Sequence, residues 1–99
     1  MNNLGLSENV LNQILEVLKK YTLKDAKIFG SRAMGNYKKY SDIDIAIFVE
    51  NGTDDISYSI KYDLEELDII YFFDVLDYNN ISNRDLKNHI DEVGISIIK

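Results

Sequence analysis

The 99 residues, 45% hydrophobic and 28% charged with no cysteine, make one globular domain, residues 1–99, and exclude a disordered chain, a second fold, disulfides and a Cys-ligated zinc site. No apolar run approaches the roughly 18 residues of a membrane span, and Met1-Asn2-Asn3-Leu4 lacks the basic and apolar regions of a secretory leader, so the expected location is cytoplasmic. A net charge of −6 argues against bulk nucleic-acid binding, which depends on Lys and Arg neutralising phosphates.

Ser7 opens a periodic pattern, Val10, Leu11, Ile14, Leu15 and Leu18, that predicts an amphipathic helix over residues 7–21. Ala26, Ile28 and Phe29 mark a short strand stopped by Gly30, and residues 31–34 start a helical turn before Gly35-Asn36. The β-branched run over residues 43–49, ended by Glu50-Asn51-Gly52, predicts a central strand. Ile56, Ile60, Leu64 and Leu67 recur at helical spacing over residues 55–67, and residues 69–76 form the third predicted strand. Ser82 or Asn83 caps a helix running to Val93, Gly94 is its stop, and residues 95–98 end as a short strand. Helices and strands alternate, so the expected fold is a sheet covered by helices.

Charge is unevenly spread. Residues 19–40 hold seven basic side chains against Asp25 alone, within an otherwise acidic chain. Such a segment is either a solvated helix end or the border of a site for a small polyphosphate.

The most informative stretch is Ser41-Asp42-Ile43-Asp44-Ile45-Ala46, because aspartate is disfavoured in strands and two stand at the head of this one. Alternation places Asp42, Asp44, Ala46 and Phe48 on one face, with the two carboxylate-bearing Cα atoms about 6–7 Å apart. Like charges at that range repel unless a cation lies between them, and hard carboxylate oxygens suit Mg²⁺ or Mn²⁺. An Asp-x-Asp alone is also compatible with a turn cap and an exposed sheet edge. Gly30-Ser31, ten residues earlier, adds to it: glycine allows close backbone approach, and the amides of a following helical turn suit phosphate. A P-loop does not fit, since Asn36-Tyr37 stand where Lys and Ser or Thr are required, nor does an EF-hand, since Ile47 stands at its turn glycine. Asp74 interrupts the next apolar strand and would complete a three-carboxylate cluster if that strand lies beside the first. Asp77 reads as structural.

Gly30-Ser31-Arg32-Ala33-Met34-Gly35, the ten-residue gap, Ser41-Asp42-Ile43-Asp44-Ile45-Ala46 and Phe73-Asp74-Val75-Leu76-Asp77 together resemble the minimal nucleotidyltransferases of the DNA polymerase β-like superfamily. The resemblance covers nearly the whole chain. It implies an α+β fold, a single small mixed β-sheet flanked by helices like the polymerase β palm. It implies that Gly30 and Ser31 hold a nucleoside triphosphate with Arg32 beside them, and that Asp42 and Asp44 bind two Mg²⁺ ions, with Mn²⁺ able to substitute. Asp74 then supplies the third acidic ligand and helps activate an acceptor hydroxyl. By the same resemblance the donor is ATP and the partner a HEPN-domain toxin, adenylylated on a tyrosine, so that this chain is the antitoxin in a hetero-oligomer. The alternatives are a non-catalytic subunit that neutralises its partner by occlusion and a nucleotidyltransferase for a small-molecule alcohol. Arg32 is equally compatible with a surface salt bridge. His89, the sole histidine, is expected to be a packing or surface residue, while Tyr37 and Tyr40 precede the acidic pair where a base or partner could meet them.

Overall fold

The computed structural model describes residues 4–98; the leader reading of Met1, Asn2 and Asn3 lies outside them. Helix α1 (Glu8–Leu18) is capped by Ser7, whose hydroxyl accepts the Val10 N–H at 3.1 Å, and it buries Ile14, Val17 and Leu18. It stops short of the predicted residue 21, because Lys19 and Lys20 turn the chain toward β1 (Asp25–Phe29). The four-residue α2 (Ser31–Met34) leads by a loop to β2 (Ile43–Phe48), followed by α3 (Ser57–Glu65), β3 (Phe73–Asp77), a 3₁₀ turn (Tyr78–Asn80), α4 (Arg84–Val93) and β4 (Ile95–Ser96). Asn83 caps α4 by accepting the Leu86 N–H at 3.0 Å.

The strands form one sheet in the order β3-β2-β1-β4. β1 runs antiparallel to β2 and β4, whereas β2 and β3 are parallel, so the sheet is mixed, as expected. Alternation along β2 sorts its two faces. Ile43, Ile45 and Ile47 join Ile14, Val17, Ile60 and Leu64 in the main core beneath α1 and α3. Ala46 and Phe48 face the other way and pack with Phe29, Leu86 and Ile90 beneath α4. α4 covers only part of this second face. The end where β1 finishes and β2 and β3 begin is left open, and the acidic residues lie there.

The third strand begins at Phe73 rather than at residue 69. Its pairing starts at Ile43↔Phe73, because Asp42 stands just before β2 and offers no earlier ladder position. Ile70 and Phe72 are 67% and 71% exposed, while Ile69 and Tyr71, alternating with them, pack against the main core. Asp77 is structural, as the sequence indicated: it is buried and its carboxylate accepts the Asn79 N–H at 2.9 Å.

Candidate active site

Parallel pairing of β2 and β3 sets Asp44 directly opposite Asp74. Residues opposite each other carry side chains on one face, about 5 Å apart at Cβ, and Asp42, just before β2, stands near enough for its carboxylate to act on Asp44. The three acids therefore gather at one end of the sheet, with Asp42 and Asp74 exposed and Asp44 half-buried. They stand along the strands rather than around a point. Among the described residues no group of three or more His, Cys, Asp or Glu side chains converges as a ready metal site.

Electrostatics mark Asp44 out. Burial pushes its carboxyl up to about 6 from an ordinary 3.8, and the Asp74 and Asp42 carboxylates push the same way against the opposing effects of His89 and Arg32. Concentrating charge in a half-buried place is unfavourable unless a cation compensates it. Hard oxygen donors in this environment fit a divalent ion of the Mg²⁺ type.

Phe29↔Asp44 pairing brings the end of β1 beside the acids, with Gly30 the next residue. Gly30 has φ 72° and ψ −150°, a conformation that is essentially glycine's alone. A Cβ built on it would collide with Asp44 Oδ2, so the glycine makes room for the carboxylate itself. The Gly30 N–H donates to His89 Nε2 at 3.1 Å, and the imidazole meets Phe29 edge-on with centroids 6.1 Å apart. His89 thus holds the glycine turn from α4, a role that sequence reasoning missed. Its place beside Ile90 on α4 is the only signal the chain offers. No side chain caps the start of α2, where Ser31 is half-buried next to Gly30.

Arg32 is not at the disposal of a nucleotide, and the structure corrects the expectation for it. Its side chain is 1% exposed. Nε and Nη2 donate to the Ser41 carbonyl at 3.2 and 2.8 Å, and Nη1 donates to the carbonyls of Leu4 at 2.9 Å and Gly5 at 3.4 Å. The guanidinium carbon lies 5.2 Å from the Tyr37 ring centroid and 4.8 Å from that of Tyr71. Carbonyls and two ring faces compensate the buried charge, and the Asp44 carboxylate feels it as well. Arg32 thereby fixes the residue immediately before Asp42, and the Ser41 hydroxyl accepts the Lys38 N–H at 2.7 Å to close the same loop. Lys38 and Lys39 are exposed in that loop, as is Tyr40, while Tyr37 belongs to the packing around Arg32.

Comparison with known proteins bears on the fold and the family. A relative from Methanocaldococcus jannaschii, named as a protein adenylyltransferase, is 38% identical over 73 residues, covering 73% of this chain and 77% of its own. A solved toxin-antitoxin structure with AMP-PNP contains a chain 25% identical, covering 89% of this chain and 72% of that one, with a TM-score of 0.72. A toxin-antitoxin MntA-HepT structure matches in fold at 22% identity and a TM-score of 0.67, covering 93% of this chain and 72% of that one. Residues 12–99 match the profile of the family "Polymerase beta, Nucleotidyltransferase". That match takes in the glycine turn and all three acids, and the chain belongs to the polymerase beta nucleotidyltransferase family.

Proposed function

We propose that this nucleotidyltransferase moves AMP from ATP to a tyrosine hydroxyl of a HEPN-domain toxin and so serves as its antitoxin in the cytoplasm. The observation that carries the reading is the alignment of Asp44 with Asp74 on neighbouring strands, with Asp42 just ahead of β2 and Gly30 making room for the Asp44 carboxylate. The relatives support the finer parts: one is named a protein adenylyltransferase, and the solved neighbours are toxin-antitoxin structures, one with AMP-PNP.

In this reading Asp42, Asp44 and Asp74 hold two Mg²⁺ ions, and Asp42, exposed at the head of β2, has the side-chain freedom to complete the set. When bound, the ions screen the triphosphate and polarise its α-phosphate. Gly30 and Ser31 seat the triphosphate, and His89 keeps their turn in place through the Gly30 N–H. Asp74 accepts the proton of the acceptor hydroxyl as its oxygen forms a bond to the α-phosphorus. The bond from that phosphorus to the bridging oxygen breaks, and pyrophosphate leaves with the electron pair.

The test is incubation of the pure protein with labelled ATP and Mg²⁺, with and without its HEPN-domain partner, followed by intact mass. A gain of AMP on the partner, lost in the Asp42→Ala/Asp44→Ala double variant, is the expected result. A stable complex without transfer from any nucleotide would instead favour neutralisation by occlusion. Undiminished transfer by the double variant would overturn the metal assignment.

A further inference from the structure

β3 is an outer strand of the sheet, yet its backbone is covered: Phe73, Val75 and Asp77 are 3%, 7% and 3% exposed. What stays accessible is one face of the strand. Asp74 and Leu76, two positions apart within β3, carry their side chains on that face, Asp74 exposed and Leu76 half-buried. Leu76, Ile81 and Leu86 pack against the smaller core beneath α4. Asp74 and these three line a groove of about 520 Å³, with Ser82 and the exposed Tyr58 of α3 on its walls. That volume lies within the range of about 300–1,000 Å³ common to small-ligand clefts. The groove thus joins an apolar floor to a carboxylate of the candidate active site.

Its place in the sheet gives it a direction. Phe29, Asp44 and Asp74 form one row across β1, β2 and β3, with Gly30 next to Phe29. The groove is bounded by β3, α3 and residues 80–86, so it lies at the β3 end of that row. Displacement at phosphorus sets the attacking and leaving oxygens roughly in line. A triphosphate seated at the Gly30 turn releases its pyrophosphate on the β1 side, and the attacking hydroxyl then enters from the β3 side.

Resting on the transferase reading above, we propose that this groove is the acceptor subsite and that its floor selects a tyrosine side chain, the ring lying on Leu76 beside Ile81 and Leu86 and the phenol oxygen meeting Asp74. Positions two apart in a strand are about 6.6 Å apart, a span that a ring over Leu76 with its hydroxyl outstretched can cover. Among hydroxyl-bearing side chains only tyrosine joins an apolar body to a polar tip. A serine or threonine hydroxyl at Asp74 leaves the floor uncovered, and a sugar sets polar groups against three aliphatic side chains. At Asp74 the phenol gives up its proton to the carboxylate, its oxygen bonds to the α-phosphorus, and pyrophosphate leaves with the electron pair of the broken P–O bond.

The test uses the full chain with its HEPN-domain acceptor, labelled ATP and Mg²⁺, and maps the modified residue by peptide mass. Ser82→Trp, at an exposed wall position, fills the groove and is expected to raise KM for the acceptor at least about tenfold with KM for ATP unchanged, while Ser82→Ala transfers like wild type. Undiminished transfer by Ser82→Trp overturns the subsite and leaves the transferase. A rise in both KM values also overturns it, and AMP mapped to serine or threonine overturns the selection. Binding is read separately by titrating N-acetyltyrosinamide into the chain and following methyl chemical shifts. Leu76, Ile81 and Leu86 are expected to shift, and N-acetylserinamide to leave them unmoved. No shift at these three overturns the subsite even where transfer persists. Their shift without any transfer by wild type removes the transferase reading, and the acceptor role with it.

Discussion

Replacing Asp44 by Asn is expected to stabilise the fold while abolishing transfer. Asp44 is held at about 6 instead of 3.8, and a difference of that size corresponds to about 3 kcal/mol between the two protonation states. Because the side chain is half-buried and partly screened by solvent, about 1 kcal/mol is the appropriate scale. The sign follows from linkage: the native state binds the Asp44 proton more tightly than the unfolded chain, so this contribution weakens the fold as pH rises from about 4 through about 6. Asn cannot ionise and escapes the penalty. In thermal denaturation without divalent metal at about pH 8, Asp44→Asn should melt roughly 4–8 °C above wild type, and the gap should narrow toward about pH 4.5. Added Mg²⁺ should raise the wild-type melting temperature more than the variant's, since a ligand stabilises the state that binds it. A variant no more stable than wild type at about pH 8, or a gap indifferent to pH, would refute the picture of Asp44 as an uncompensated charge.

Gly30→Ala should cost about 2 kcal/mol or more in urea denaturation, from a backbone conformation closed to alanine and from collision with Asp44, and transfer should be lost. Arg32→Met should destabilise by about 2–4 kcal/mol through loss of the hydrogen bonds to Ser41, Leu4 and Gly5. ATP affinity of the fraction that remains folded, measured by calorimetry at low temperature, should stay within about threefold of wild type, and a far larger loss would return Arg32 to the nucleotide site. His89→Ala should lower kcat/KM by about tenfold by releasing the Gly30 turn, and His89→Gln, which retains an acceptor, should recover part of it. Equal defects in the two His89 variants would mean that the ring's packing on Phe29, rather than its nitrogen, is what matters.

Asp44 was legible as an acid inside a strand, whereas Asp42 stands just before β2, where the strand's period of two does not fix its side. Gly30 was legible as a turn residue, but its reason was only half visible, since the collision with Asp44 depends on β1 and β2 lying side by side. The alignment of Asp74 with Asp44 depends on strand order and register, which local pattern does not encode; the sequence offered only an acid inside an apolar run. That same run misplaced the start of β3, because apolar residues such as Ile70 and Phe72 look like core even where they face solvent. Arg32 was misread for a converse reason. Backbone carbonyls satisfy it, and carbonyls belong to every residue type, so a buried arginine of this kind leaves no motif.

The Arg32 guanidinium joins two distant parts of the chain, the carbonyls of Leu4 and Gly5 on one side and that of Ser41 on the other. Gly5 also faces the Tyr37 ring so closely that a side chain there would strike it. The beginning of the described chain is therefore a buttress for the loop that delivers Asp42. Trimming those residues, or attaching a rigid fusion just ahead of them, would leave guanidinium donors unanswered and slacken the approach to β2. Because Leu4 and Leu6 also belong to the main core, such changes should lower stability and activity together.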